Sequence, residues 1–105
     1  MKLGIIISQK DHETVWNAYR LGIFSLKQGD SVKTFLIGKG VESETKHQEF
    51  NVKQKISEYI KAGGEIYACG SCIKLRKIKS KDICQISTMK DLYNIIKESD
   101  KIVSF

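Results

Sequence analysis

Proline is absent from this 105-residue chain. Dithiol oxidoreductases of the thioredoxin type set a cis-proline opposite their CxxC motif, so its absence argues against that architecture. Arginine is scarce: among 18 cationic residues only Arg20 and Arg76 are arginine, the side chain on which bidentate recognition of bases relies. Nucleic acid is therefore disfavoured as a partner, although the net charge is +6 and the sequence pI near 9.3. The lysine excess reads as a solvated surface that keeps the chain soluble. Long apolar runs are also missing. Leu3 to Ile7 and Phe35 to Ile37 are strand-sized, well short of the roughly 20 residues a membrane helix needs, and no membrane partner is expected. The opening Met1 to Ser8 is too short in its apolar part for a signal peptide and turns polar at Gln9, which predicts a first strand and a cytoplasmic protein.

Two further absences concern ligands. Ser8 to Thr14, the first loop, contains no glycine to bring backbone amides around a phosphate, which argues against a flavodoxin-like FMN protein. Only Cys69 and Cys72 have metal-ligand spacing, with no second CxxC and no HxxxH, so the signal for structural zinc is weak. Neither a metal nor another cofactor is expected. Three cysteines are too few, and odd in number, for a disulfide framework.

What is present is an alternation of strand and helix patterns in a chain that is 41% hydrophobic, fitting one globular domain over residues 1–105. Leu3 to Ile7 is the continuous apolar run of a strand buried on both faces. Asp11 is placed to cap a helix over Val15 to Lys27, whose Val15, Trp16, Ala18, Tyr19, Ile23 and Leu26 form one apolar face. Val32 to Ile37 follows as a strand closed by Gly38-Lys39-Gly40. Val41 to Asn51 shows no clear period and is expected to be the most mobile stretch, a possible lid. Asn51 to Ala62 is amphipathic, and Gly63-Gly64 stops it. Glu65 to Ala68 predicts a third strand, Ile73 to Lys77 a short basic helix, and Ile83 to Ile86 a fourth strand that includes Cys84 as a small core residue. A helix starting at Ser87 or Thr88, with Met89, Leu92, Tyr93 and Ile96 on one face, leads to a fifth strand over Lys101 to Phe105. This order implies an α/β fold: three layers, α/β/α, around a mostly parallel five-stranded sheet.

The chemistry gathers at Ala68-Cys69-Gly70-Ser71-Cys72. A thiol at the carboxyl end of a strand, facing the first peptide N–H groups of a helix, is favoured as thiolate, and thiolate is the attacking species. Cys69 and Cys72 are the candidate catalytic residues, Cys69 as the accessible nucleophile and Cys72 as a resolving thiol. Ser71 and the N–H groups of Cys72 and Ile73 are candidates to hold an anionic terminal sulfur. Lys74, Arg76, Lys77, Lys79 and Lys81 make a local basic excess that steers an anionic substrate or acidic partner, and Arg76 is the candidate among them for substrate binding. His12, in the first strand-to-helix loop, is a candidate to contact a ligand or assist proton transfer; His47 is a weaker one. Trp16 and Tyr67 read as packing residues.

The opening strand, Asn17 to Gly22, Val32 to Val41, the double glycine, the turn Ala68 to Cys72 and the closing Ser99 to Phe105 together resemble the DsrE/DsrF-like sulfur-relay family over nearly the whole length. The resemblance implies the three-layer fold, assembly as trimers or hexamers, sulfur donor and acceptor proteins as partners, and a cysteine at the end of the third strand, here Cys69, that carries sulfur as a persulfide. Relatives commonly follow the basic helix with Arg-Gly where this chain has Arg76-Lys77. The rival reading is a non-enzymatic interaction module, or a subunit of an oligomeric complex with the same fold.

Overall fold

The structure, a computed structural model, describes residues 1–44, 47–76 and 85–105. Five strands, β1 (Lys2–Ile7), β2 (Ser31–Leu36), β3 (Glu65–Cys69), β4 (Gln85–Ser87) and β5 (Lys101–Ser104), form one sheet in the order β4-β3-β2-β1-β5. Every pairing is parallel. β1 lies inside the sheet between β2 and β5, and its Leu3, Ile5 and Ile7 are buried, as its uninterrupted apolar run requires.

Two helices, α1 (His12–Lys27) and α2 (Val52–Lys61), cover one face. The Asp11 carboxylate caps α1, accepting from the Thr14 N–H at 3.0 Å and the Thr14 hydroxyl at 2.8 Å. The helix therefore starts at His12, three residues before its apolar face does. Between helices and sheet sits Tyr59, fully buried, whose hydroxyl accepts from Thr34 (3.0 Å) and faces the carbonyls of Val32 (3.2 Å) and Glu65 (3.0 Å). Burial and the neighbouring Glu65 push its phenol far above the ordinary tyrosine range. The Tyr19 ring meets it edge-on at 5.3 Å. Gly64 is required beside it, since a Cβ there would fall on the Tyr59 ring.

The third layer is α4 (Met89–Glu98), opened by a reciprocal capping box between Thr88 and Asp91. It packs over β1, where Gly4 lies against Ile95, Ser99 and Ile102. The face that docks differs from the expected one. Leu92 and Ile95 are buried, whereas Met89, Tyr93 and Ile96 stand in solvent. The helix carries apolar residues on more than one side, and it lies on the sheet through the Leu92/Ile95 edge of that wide stripe.

Two segments depart from expectation near the carboxyl edge of the sheet. The stretch after β2 opens as a 3-10 turn over Gly38–Glu42, with Val41 and Ser43 buried and the Ser43 hydroxyl bonded to the Gly40 carbonyl at 2.6 Å. The turn that leads into the expected lid is thus packed against β1, since the Ile37 N–H bonds the Ile7 carbonyl at 3.0 Å and a Cβ on Gly40 would fall on that same carbonyl group, and the lid's own Val41 and Ser43 are buried. In addition, β3 runs without a turn into the short helix α3 (Gly70–Leu75), which starts three residues earlier than its basic pattern suggests. Cys84, Ile83, Lys77, Lys79 and Lys81 lie outside the described residues, and β4 is described from Gln85. No helix among the described residues is long and apolar enough to cross a membrane.

Candidate functional site

Parallel strands bring their carboxyl ends to one edge, so the segments following β2 and β3 become neighbours. β2 pairs with β3 through Leu36 and Ala68, so the 3-10 turn after β2 lies beside the start of α3. The early start of α3 decides the fate of the two thiols. Cys69 ends β3 and occupies the cap position of α3, while Cys72 lies inside the first turn of that helix. They do not share a loop, and their surroundings differ.

Cys69 is buried, 7% exposed, and belongs to the main core. Desolvation pushes its thiol up, and its hydrogen bond to Cys72 adds to that rise; the backbone N–H groups of Cys72 and Ser71 oppose it and are outweighed. The expected peptide-dipole effect is thus present at Cys69, but burial overrides it. The accessible, largely ionised sulfur anticipated there is not what the structure shows.

Cys72 is half-buried. Its thiol is held below the ordinary cysteine range, first by the hydrogen bond from Cys69, then, against a desolvation penalty, by the Gly38 N–H and the positive charge of Arg76. The Gly38 N–H points at Sγ from 3.3 Å. Gly38 has φ of 57°, in the left-handed region that glycine enters without strain. That donor comes from a different strand end, 34 residues away in sequence, and sequence reading missed it. The available signal was Gly38-Lys39-Gly40 closing a strand adjacent to the CxxC strand.

Arg76 closes α3. Its Nε donates to the Glu42 carboxylate at 2.9 Å and its Nη1 to the Cys72 carbonyl at 3.4 Å. Glu42, at the end of the 3-10 turn, is the second residue missed, having been read as part of a polar stretch without pattern. Ser71 is exposed on the outer side of α3, and its N–H is turned to Cys69. Thus Cys69, Ser71 and Cys72 lie at the start of α3, and Arg76, at its end, reaches back to the Cys72 carbonyl. His12 stacks instead on His47, ring centroids 4.5 Å apart. His47 in turn packs on Phe50 and lines a groove between α1 and α2 with Trp16 and Lys55. Trp16 is a packing residue there, edge-on to Phe50 at 5.5 Å and flanked by Arg20 and Lys55. No group of three or more histidine, cysteine or acidic side chains among the described residues is arranged to hold a metal.

The arrangement is a dithiol in which one sulfur supplies a proton-bearing partner to the other. The second sulfur is less buried than the first and sits where an amide N–H and a guanidinium favour negative charge.

Comparison with known proteins agrees with this architecture. An uncharacterized protein of Methanopyrus kandleri is 32% identical over an alignment 112 positions long, covering 98% of this chain and 93% of that protein. An uncharacterized protein of Methanocaldococcus jannaschii is 32% identical over an alignment 114 positions long, covering both chains completely. Among solved structures, the ychN protein from E. coli superposes with a TM-score of 0.82 at 21% identity over the whole of both chains. A conserved protein of unknown function from Bacteroides thetaiotaomicron gives 0.80 at 23% identity, covering 99% of this chain and 94% of the other. These two likenesses speak for the fold. The model of the DsrE/DsrF-like family matches residues 1–105, and the chain belongs to that family.

Proposed function

We propose that the protein is a cytoplasmic sulfur carrier of the relay type, taking sulfane sulfur from a donor protein and passing it to an acceptor protein, with the Cys69/Cys72 pair as its working group. The family to which the chain belongs includes sulfur-relay proteins and supports the general reading. The observation that carries the specific one is the Gly38 N–H directed at the sulfur of Cys72, the less buried of the two thiols, from 3.3 Å. The resemblance points to Cys69 as the carrier; exposure and hydrogen bonding favour Cys72, and we assign the sulfur to it.

The chemistry balances without net oxidation. The Cys72 thiolate attacks the outer sulfur of a donor persulfide, a new S–S bond forms at Sγ, and the donor leaves as its thiolate. The Gly38 N–H and the Arg76 charge, which favour an anion at Sγ, also favour the ionised persulfide. An acceptor thiolate then attacks the terminal sulfur, and Cys72 leaves again as thiolate. If Cys69 instead loses its proton and attacks Sγ, hydrosulfide departs and a Cys69–Cys72 disulfide remains, which an external dithiol must reduce. Cys69 is therefore the resolving thiol, and its burial keeps that side reaction slow.

Incubation with a small persulfide donor, followed by intact mass measurement, tests this. The expected result is the added mass of one sulfur atom, lost in Cys72→Ser and retained in Cys69→Ser. Absence of an adduct with every donor tried removes the relay reading. An adduct that survives Cys72→Ser and disappears in Cys69→Ser returns the carrier role to Cys69.

A second reading rests on α4. Met89, Tyr93 and Ile96 fall at i, i+4 and i+7 and are 63%, 60% and 47% exposed, an apolar stripe of the kind that marks contact surfaces. It supports assembly of the chain with copies of itself, as a trimer or hexamer, and this holds even if the protein serves only as a module of a larger complex. Sedimentation of Tyr93→Lys beside the unaltered chain tests it: a smaller species with an unchanged fold is expected, and identical sedimentation overturns it.

A further inference from the structure

We propose that Glu42 is a positioning residue for Cys72, acting through Arg76 to hold α3 against the 3-10 turn so that the Gly38 N–H stays on the Cys72 sulfur. The inference rests on the reading of Cys72 as the ionised thiol of the pair.

Two hydrogen bonds join these short elements, at opposite ends of the 3-10 turn and one helical turn apart on α3. At the start of the 3-10 turn the Gly38 N–H reaches Cys72 Sγ (3.3 Å); at its end the Glu42 carboxylate takes the Arg76 Nε–H (2.9 Å). Arg76 also reaches back to the Cys72 carbonyl at 3.4 Å, so the guanidinium is braced on one side by the turn and on the other by its own helix. α3 has only six residues, and no strand ladder passes through it. An N–H to sulfur contact weakens as its angle opens, so rotation of the short helix about its own axis would loosen it. The Glu42–Arg76 pair opposes that rotation, since a carboxylate to guanidinium hydrogen bond is both short and directional. Both partners are partly exposed, 36% and 25% for the two side chains, so the pair adds little to overall stability. Its value lies in geometry.

A purely electrostatic role has the opposite sign. Glu42 is an anion near a developing anion, so removing its charge without moving the helix would make Cys72 more reactive. A positioning role predicts the reverse when the hydrogen bond is lost, and little change when it is kept.

The test is site-resolved alkylation with iodoacetamide across a pH series, read by mass spectrometry on the full chain, with sulfur loading measured in parallel. In Glu42→Ala the Cys72 rate at neutral pH is expected to fall about fivefold and its pH midpoint to rise. Glu42→Gln, which keeps an acceptor for the Arg76 Nε–H, is expected to stay within about twofold of the unaltered protein. Glu42→Asp keeps the charge on a shorter arm and is expected to fall with Glu42→Ala; it carries the test if the alanine variant folds poorly. Unchanged rates and midpoints in both Ala and Asp overturn the proposal. So does a common increase in Ala and Gln, which leaves only the charge effect. If Cys72 responds to Glu42 as stated yet takes no sulfur, the relay reading fails and the positioning role stands. If Cys72 is not the faster thiol of the unaltered chain, the positioning role fails with its premise.

Discussion

The packing beneath α1 and α2 and the thiol site at the end of β3 are built from the same sheet, yet they are held in different ways. Tyr59 is fixed by three polar partners on two strands, an edge-on ring and a glycine that admits its face. Cys72 is fixed by one N–H from a 3-10 turn, one neighbouring thiol and an arginine tethered at partial exposure. The first region is over-determined: removing any one contact leaves several. The second is set by a few contacts, each of which changes the chemistry when removed. Stability and reactivity should therefore respond to different substitutions.

The largest effect is expected on the Tyr59 side. Tyr59→Ala empties the space between helices and sheet and leaves the Thr34 hydroxyl without its acceptor. A loss of about 4 kcal/mol in urea unfolding is expected, a large part of the roughly 5–15 kcal/mol that holds an ordinary domain. Tyr59→Phe keeps the ring and removes only the hydroxyl, and should cost about 1–3 kcal/mol by the same measurement. Neither substitution should move the pH midpoint of Cys72 alkylation in the folded protein; if Tyr59→Phe moves it, the two regions are coupled and the contrast fails.

On the thiol side the order reverses. Iodoacetamide near pH 7 should modify Cys72 about tenfold or more faster than Cys69. The sign follows from the two environments: thiolate, the reacting form, grows as pH rises, so Cys72 should reach half-maximal rate below the ordinary cysteine value of about 8.5 and Cys69 above it. Cys69→Ala removes the hydrogen bond that contributes most to lowering Cys72, so the Cys72 midpoint should rise. Cys69→Ser, which keeps a donor, should restore part of the shift. Equal midpoints for Cys69→Ala and the unaltered chain would show that Gly38 and Arg76 suffice. The smallest stability change is expected for Glu42→Ala, about 0.5 kcal/mol or less, although its effect on alkylation is among the clearest.

Legibility in the sequence divides along the same line. The strand order of events, the Asp11 cap and the buried β1 could be read because each rests on contacts within a few residues or on a continuous apolar run. The CxxC pair was visible as a motif, but which sulfur is buried depends on α3 beginning at Gly70, one turn ahead of the Ile73-to-Lys77 pattern. Gly38 and Glu42 act on α3 across a strand boundary, and nothing local marks such a pairing. The docking face of α4 was misassigned because Met89, Leu92, Tyr93, Ile95 and Ile96 cover too much of the helix for periodicity to choose an edge. His12 reads as a loop residue but is the first residue of α1, and its stacking partner, His47, comes from a segment with no readable period.

The sheet order has one more consequence, for assembly of the chain during synthesis. β1 leaves the ribosome first, but one of its two neighbours is β5: the Lys2 N–H waits for the Asp100 carboxylate and the Ser8 N–H for the Phe105 carbonyl. This interior strand therefore keeps a bare flank until β5 is made, and closing it requires a contact across 98 residues. Ring closure over that distance is slow, so the final step of folding should be the arrival of β5. A nascent chain arrested before Lys101 should remain susceptible to protease.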